Sequence, residues 1–161
     1  MDKINIIYSV SGNFFKEVSI SLISLILNNF THNIKITILM DSETTKTDNY
    51  NKFLILMNKF KVDMQFIFIS PEAFKNFQNV KSFSKAAYYR LLITDIMPDI
   101  DRCIYLDADT IIEFNLEKLW NIDLCGKHCA GVLDKNISNN PHWIYPLFEN
   151  AKNYVNSGGY P

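Results

Sequence analysis

The chain alternates short apolar segments with longer amphipathic ones, and this alternation limits the possible folds more than any other feature. KINIIYSV (3–10) is rich in β-branched residues, and the apolar residues of the following FFKEVSISLISLILNNF (14–30) recur at helical spacing. IKITILMD (34–41) predicts a second strand, and 50–60 predicts a second helix. Because strands that alternate with helices form parallel sheets covered on both faces, we expect an α/β fold with a mostly parallel sheet flanked by helices.

The rest of the chain continues this alternation. MQFIFIS (64–70) predicts a third strand, and Ser70 with Pro71 is suited to begin a short helical piece. FSKAAYYRLLITDIMP predicts a helix that is capped by Ser82 or Ser84 and ends before Pro98. The later predictions are a strand at 102–106, a helical turn at 115–120 capped by Asn115, and strands at 128–134 and 153–158.

Composition excludes several classes of protein. With 161 residues, 48% apolar residues and a net charge of −1, the chain has the size and balance of one globular domain, assigned to 1–161. The small net charge argues against bulk attraction to nucleic acid. No apolar run is long enough to span a bilayer and the N-terminus does not resemble a signal peptide. We therefore expect a cytoplasmic protein, with peripheral contact to a membrane left open.

The cysteines indicate neither a disulfide framework nor a zinc site. Cys103, Cys125 and Cys129 are odd in number and form no C-x-x-C pair. The CGKHC segment, even with His142 nearby, does not match the ligand spacing of the usual structural zinc sites. We interpret the three residues as free thiols.

The segment YLDADTII (105–112) places two carboxylates directly after an apolar strand. An isolated buried carboxylate is costly, so Asp107 and Asp109 need a partner. In an extended segment residues i and i+2 point the same way, which predicts that the two carboxylates converge. Two hard oxygen ligands suit Mg²⁺ or Mn²⁺ and leave room for phosphate oxygens, so a metal-bound diphosphate is the predicted partner. An acidic loop that only caps the end of the sheet is the alternative.

Other polar residues share the position of this pair. SGN (11–13), Asp41 and Asp134 each follow a predicted strand. In open α/β sheets ligands bind in the crevice outside the carboxyl ends of the strands. We therefore expect these residues and the acidic pair to lie around one crevice.

The blocks FSKAAYYRLLITDIMP, RCIYLDADTII, LEKLW, AGVLD and YVNSG, in this order and spacing, resemble glycosyltransferase family 8. This family includes bacterial lipopolysaccharide sugar transferases and glycogenin. The resemblance implies a GT-A type nucleotide-sugar fold. It also implies retaining transfer of a hexose from a nucleotide sugar, usually a UDP-sugar, with Mn²⁺ or Mg²⁺ as cofactor, to a glycan or lipid-linked acceptor.

The same resemblance assigns roles to individual residues. Asp107 and Asp109 correspond to the metal-binding D-x-D residues, and both, with Ala108 between them, contact the donor. Arg90 corresponds to an arginine beside the donor, and its cationic fork suits a diphosphate; a structural ion pair is the alternative. The other donor-binding positions implied are Asn13, Asp134, Asn156 and Ser157.

The sequence departs from the family pattern in two places. The loop SVSGN lacks the acidic residue that often precedes the first-loop asparagine in bacterial members. The chain also stops at GGYP, before the QD segment and the terminal H-x-x-G-x-x-K-P-W motif of the family. We therefore expect a domain truncated at its C-terminus, which lacks the family's C-terminal segment and either self-associates or needs a complementing polypeptide.

Two other functions are compatible with parts of the sequence. DADTI partly resembles the D-x-D-x-[TV] start of haloacid dehalogenase-like phosphatases, but that motif follows the first strand of its fold. A scaffold or binding module that keeps the fold without turnover is the second alternative.

Overall fold

The computed structural model describes residues 3–30, 33–75 and 84–131. The chain divides into one compact unit over Met1–Asn121 and a second over Ile122–Pro161. The sheet and its helices belong to the first unit, and 122–131 is the described part of the second. None of the described helices is long and apolar enough to cross a membrane.

The described strands form a parallel sheet in the order β3-β2-β1-β4, as the alternation predicts. The strands are β1 (Ile4–Val10), β2 (Ile34–Met40), β3 (Asp63–Phe68) and β4 (Ile104–Leu106). Strand β1 lies between β2 and β4, with Val10 opposite Met40 and Tyr8 opposite Leu106. The carboxyl ends of all four strands therefore lie along the same edge.

Two long helices follow the first two strands. Helix α1 is Phe15–Asn29 and helix α2 is Asp48–Phe60. Helix α2 begins where the Thr47 side chain accepts a hydrogen bond from the Tyr50 amide, and ends where Lys61 adopts a left-handed conformation. The short helices α3 (Ile93–Ile96) and α4 (Glu117–Trp120) come later. The N-cap of α4 is Leu116 and not the predicted Asn115, although Asn115 Oδ1 accepts from the Glu117 amide at 2.7 Å.

The alternation of side chains along β1 divides the core between the two faces of the sheet. Ile6, Tyr8 and Val10 point to one face, where α1 and α2 cover them. Ile7 points to the opposite face and packs in a cluster with Leu39 and the segment around Tyr89. All of these residues are buried, so the sheet is covered on both faces as predicted.

The predicted helix over 83–97 is wrong in its type. Lys85–Leu92 is a 3₁₀ helix, and only Ile93–Ile96 is α-helical. Ala86 and Tyr89 are buried on the sheet and Leu92 packs beside them, so the apolar face repeats every three residues. A 3₁₀ helix has three residues per turn and aligns these side chains, whereas an α-helix would rotate them off the sheet. The Ser84 side chain makes no capping hydrogen bond.

One prediction for the C-terminal part is wrong, and the others are untested. The predicted strand 128–134 is wrong over its described residues 128–131, which have no strand structure. The rest of that segment and the predicted strand 153–158 lie outside the described residues, as do Asp134, Asn156 and Ser157. The assignment of 1–161 to one domain stays a prediction.

Candidate functional site

The order of the strands creates a switch point between β1 and β4. From β1 the chain adds β2 and β3 on one side, and then crosses back to place β4 on the other side of β1. In open α/β sheets the ligand crevice lies at such a switch point, outside the carboxyl ends of the strands. Gly12 and Asn13 follow β1, and Asp107 follows β4. The sheet thus brings the first loop and the acidic pair to the same edge, as predicted.

The acidic pair lies in a turn and not in the extended segment that we expected. The Thr110 amide donates to the Asp107 carbonyl oxygen at 3.2 Å, and the Thr110 hydroxyl donates to the same oxygen at 2.8 Å. Strand β4 ends at Leu106, so extended geometry does not continue through the pair. The argument from alternating strand side chains is therefore wrong for Asp109. Both carboxylates are exposed at the edge of the sheet.

Arg90 reaches the first carboxylate of the pair. Its Nη2 donates to Asp107 Oδ1 at 2.9 Å, while its Nε donates to the Ala87 carbonyl oxygen at 2.9 Å. The guanidinium carbon lies 4.3 Å from the centre of the Tyr105 ring, a cation–π distance. The side chains of Arg90 and Asp107 are 42% and 56% exposed, so the pair contributes no more than about 1 kcal/mol to stability. Such a pair is open to a ligand from solvent.

Tyr105 links this ion pair to the buried side of the site. Burial raises the pKa of the Tyr105 hydroxyl, the Asp107 carboxylate adds to the rise, and Ser9 and Arg90 oppose it. Its phenol is therefore neutral at physiological pH. The Arg90 guanidinium thus lies over the Tyr105 ring and donates a hydrogen bond from Nη2 to the Asp107 carboxylate.

The loop after β1 is held by the loop after β2. The Gly12 amide donates to Thr44 Oγ1 at 3.0 Å, and that hydroxyl donates to Asp41 Oδ1 at 2.9 Å. The Thr44 amide also donates to Asp41 Oδ1, at 2.8 Å, so Asp41 caps the 3₁₀ helix Ser42–Lys46. Gly12 has a φ of +56°, a left-handed conformation that L side chains rarely adopt. The structure thus places Asp41 as a support for the first loop.

Asn13 is exposed at the tip of this loop. Its carbonyl oxygen accepts from Asn49 Nδ2 at 3.1 Å, which ties the loop to α2. The residue itself is exposed to solvent.

An open cleft of about 200 Å³ lies beside the first loop. Tyr89 and Phe74 form an aromatic wall with ring centres 5.7 Å apart. The Tyr89 hydroxyl donates to Asp41 Oδ2 at 3.4 Å, and burial, followed by the Asp41 charge, raises the pKa of Tyr89 to about 12. The residues that line the cleft are Ser11, Asp41, Glu43, Phe74, Lys85 and Tyr89.

The chemistry of the edge fits a hard divalent cation, but with few protein ligands. Over 3–30, 33–75 and 84–131, no three His, Cys, Asp or Glu side chains group closely enough to hold a metal ion. Asp107 and Asp109 supply carboxylate oxygens that suit Mg²⁺ or Mn²⁺. Mg²⁺ is often bound by one or two carboxylates together with the phosphates of its substrate. The described residues therefore fit a cation that arrives with, or is completed by, a phosphate ligand.

Sequence reasoning missed a polar stripe on helix α1. Ser24 Oγ accepts from the Ile112 amide at 2.9 Å, and Asn28 Nδ2 donates to the Ile112 carbonyl oxygen at 2.9 Å. Asn29 Oδ1 accepts from the Leu116 amide at 2.7 Å, in a buried position. Together with Ser21, these side chains hold the chain that follows the acidic turn. Polar residues at positions 21, 24 and 28, which lie on one helix face, were the available signal.

Comparison with known proteins identifies the family of the chain. The sequence profile described as glycosyl transferase family 8 matches residues 5–159. The chain belongs to glycosyltransferase family 8. The family 8 chain is 26% identical over 132 residues to General stress protein A of Bacillus subtilis, a match over 81% of the chain and 46% of that protein. It is 26% identical over 133 residues to the lipopolysaccharide 1,3-galactosyltransferase of Salmonella typhimurium, over 82% of the chain and 39% of that enzyme. This family 8 chain thus spans less than half the length of these curated relatives.

A solved structure agrees with the fold expected for family 8. The galactosyltransferase LgtC, determined in complex with donor and acceptor sugar analogs, superimposes with a TM-score of 0.78. The match covers 89% of this chain and 51% of that one, at 20% sequence identity. The prediction of a GT-A type fold is therefore confirmed.

Proposed function

We propose that this chain binds the donor of a retaining glycosyltransferase that transfers a hexose from a UDP-sugar. One observation carries the proposal: at the switch point of a family 8 fold, the loop after β1 and the acidic turn after β4 lie at neighbouring strand ends. A nucleotide needs a site for its base and ribose and another for its charged diphosphate. The cleft beside the first loop suits the former, and the acidic turn with its cation suits the latter.

Asp107 and Asp109 would hold Mn²⁺ or Mg²⁺, with the donor diphosphate as the remaining ligand. When bound, the cation would stabilise the negative charge on the departing UDP. The two aspartates can bind it from an exposed edge without the desolvation cost of a buried carboxylate. Ala108, between them, would place its backbone against the donor.

Arg90 would contact the donor as well as Asp107. Its guanidinium has five donors, and the structure uses two of its nitrogens, one for Asp107 and one for the Ala87 carbonyl. The remaining donors face a half-exposed edge and suit a phosphate or a sugar hydroxyl. An ion pair of this strength is weak enough to be rearranged when a charged ligand arrives.

Further donor contacts are proposed from the family resemblance. Asn13 would act from the nucleotide side, and Asp134, Asn156 and Ser157, outside the described residues, would act from the sugar side. The acceptor would be a glycan or a lipid-linked sugar, since one relative carries the name of a lipopolysaccharide galactosyltransferase.

Calorimetric titration tests the proposal. UDP and a panel of UDP-hexoses are titrated with and without Mn²⁺ into the wild type and into Asp109→Ala. We expect Mn²⁺ to strengthen binding in the wild type and not in the variant. Asp101→Ala is the matched control, because Asp101 is an exposed aspartate at the opposite, amino end of β4. UDP affinity that is the same with and without Mn²⁺ in the wild type would contradict the metal role.

The same protein samples separate the alternatives. Absence of any nucleotide-sugar binding would favour a scaffold without turnover. Hydrolysis of small phosphoesters that Asp107→Asn abolishes would favour the phosphatase. The phosphatase motif should follow the first strand, whereas the acidic pair follows β4.

A further inference from the structure

A path of hydroxyl groups runs from the core of the sheet to the acidic turn. The Tyr8 hydroxyl lies 3.0 Å from Ser21 Oγ, and Ser21 Oγ lies 3.3 Å from Thr110 Oγ1. The Thr110 hydroxyl in turn donates to the Asp107 carbonyl oxygen at 2.8 Å. These contacts join β1 and α1, which are consecutive elements, to the turn after β4, which is 89 positions further along the chain from Ser21 to Thr110.

The direction of the hydrogen bonds follows from counting protons. Each hydroxyl has one proton to donate. Because the Thr110 hydroxyl donates its proton to the Asp107 carbonyl oxygen, Thr110 Oγ1 must accept from Ser21. Ser21 then has no proton left for Tyr8, so the Tyr8 hydroxyl donates to Ser21. The path is therefore a one-way series that ends on the main-chain carbonyl oxygen of Asp107.

The path has a rigid inner end and a more open outer end. Tyr8 and Ser21 have no solvent-exposed surface. Tyr8 belongs to β1 and to the main core, and Ser21 belongs to α1. Thr110 is half-buried and Asp107 is exposed. A turn on an exposed edge has little packing of its own to fix its shape. A bond to a buried group supplies that constraint.

The neighbouring contacts of α1 serve as a comparison within the same helix. Ser24 Oγ accepts from the Ile112 amide at 2.9 Å and donates to the Ser21 carbonyl oxygen at 2.7 Å. Ser24 therefore holds the chain beyond the acidic turn and does not contact Asp107 or Thr110 through any of these bonds. It is the same residue type as Ser21, three positions further along the helix.

We propose that Ser21 and Thr110 are positioning residues that hold the acidic turn in the geometry in which it meets a divalent cation and a nucleoside diphosphate. The inference rests on the proposed role of Asp107 and Asp109. It adds that the metal-binding geometry depends on a hydroxyl of α1 that contacts neither cation nor donor. Residues that orient metal ligands in this indirect way affect metal affinity strongly.

The main test uses Thr110→Val, which keeps the shape of the side chain and removes the hydroxyl. Ser21→Ala is the companion variant, and Thr110→Ser restores the hydroxyl on a smaller side chain. Ser24→Ala is the control on the same helix. The titrations use UDP as the probe, with and without Mn²⁺, and report the ratio of the two dissociation constants.

We expect Thr110→Val to reduce the Mn²⁺-dependent gain in UDP affinity at least about tenfold. UDP affinity without Mn²⁺ should stay unchanged, and Thr110→Ser should restore the gain. Ser24→Ala should leave the gain unchanged, even if it lowers the unfolding midpoint. A gain that survives Thr110→Val, or that Ser24→Ala reduces as much, overturns the proposal.

Amide hydrogen exchange in the metal-free protein separates this inference from the proposed function. The amide of residue 110 donates to the Asp107 carbonyl, so its exchange rate reports on the turn alone. Faster exchange in Thr110→Val and Ser21→Ala, but not in Ser24→Ala, supports the positioning of the turn. This holds even if the UDP affinity of the wild type is the same with and without Mn²⁺. In that event only the proposed metal role fails. Unchanged exchange in both variants overturns the positioning itself.

Discussion

Replacing Asn29 by alanine should destabilise the fold far more than the same change at its neighbour Asn28. Asn29 is 2% exposed. Its Oδ1 accepts from the buried Leu116 amide at 2.7 Å, and its Nδ2 donates to the Leu25 carbonyl at 3.0 Å and the Phe114 carbonyl at 3.4 Å. Asn28 is exposed, and its Nδ2 donates to the Ser24 carbonyl at 3.0 Å and the Ile112 carbonyl at 2.9 Å.

The expected magnitudes follow from what each substitution leaves behind. Without Asn29 the Leu116 backbone amide stays buried and unpaired, which costs about 1–3 kcal/mol. The loss of the hydrogen bonds that Asn29 Nδ2 donates adds about 1 kcal/mol. We therefore expect Asn29→Ala to lower the free energy of unfolding by about 2–4 kcal/mol. Water can replace Asn28 at its carbonyl partners, so Asn28→Ala should cost about 1 kcal/mol or less.

Urea unfolding at equilibrium measures both values on the same scale. The slope of the unfolding free energy against urea should stay that of the wild type, so that a shift in midpoint reports stability alone. A cost for Asn29→Ala that is no larger than the cost for Asn28→Ala would refute the reasoning. It would mean that the segment 112–116 finds other hydrogen bonds when α1 no longer supplies them.

Three other perturbations test the site and its supports. Thr44→Val should weaken UDP binding and lower stability by about 1–2 kcal/mol, because the Gly12 amide loses its acceptor and Asp41 loses the bond from the Thr44 hydroxyl, while the bond from the Thr44 amide to Asp41 remains. Calorimetry and urea unfolding measure the two effects, and Thr44→Ser should show neither. Gly12→Ala should cost about 1 kcal/mol in urea unfolding, since a Cβ there meets no atom within 4 Å and only the backbone at φ +56° is strained; a loss of several times this size would contradict the open environment. Burial raises the pKa of the Tyr8 hydroxyl from 10.0 to about 12, so this hydroxyl ionises at lower pH in the unfolded chain than in the folded one. The free energy of unfolding should therefore fall as pH rises from about 10 to about 12, by about 2–3 kcal/mol in total. The urea midpoints measured below and above this pH interval should therefore differ less in Tyr8→Phe than in the wild type.

Much of the fold was predictable because the relevant signals are local. The predicted strands at 3–10, 34–41 and 64–70 agree with β1, β2 and β3 to within two residues at each end. The placement of the acidic pair after a strand was also correct. Each of these features depends on the order of apolar and polar residues over a few positions, which the sequence contains directly.

The errors arose where packing decided the local geometry. The apolar residues of Lys85–Leu92 recur at a spacing that predicts a helix, but their contact with the sheet selects the three-residue repeat of a 3₁₀ helix. The turn at Asp107 interrupts the extended geometry assumed for the pair, because Thr110 bonds back to it. Neither choice can be derived from spacing along the chain.

The sequence by itself determined the alternation of strands and helices, the hydrophobic faces, and the presence of two carboxylates and an arginine of suitable chemistry. Only the tertiary structure decided that β4 lies beside β1, which brings the acidic turn next to the first loop. It also decided that Arg90 meets Asp107 and that Ser21 meets Thr110, pairs separated by 17 and 89 positions. A hydrogen bond depends on distances of about 3 Å in space, whatever the separation along the chain. Such pairs therefore become visible only once the sheet and α1 have packed together.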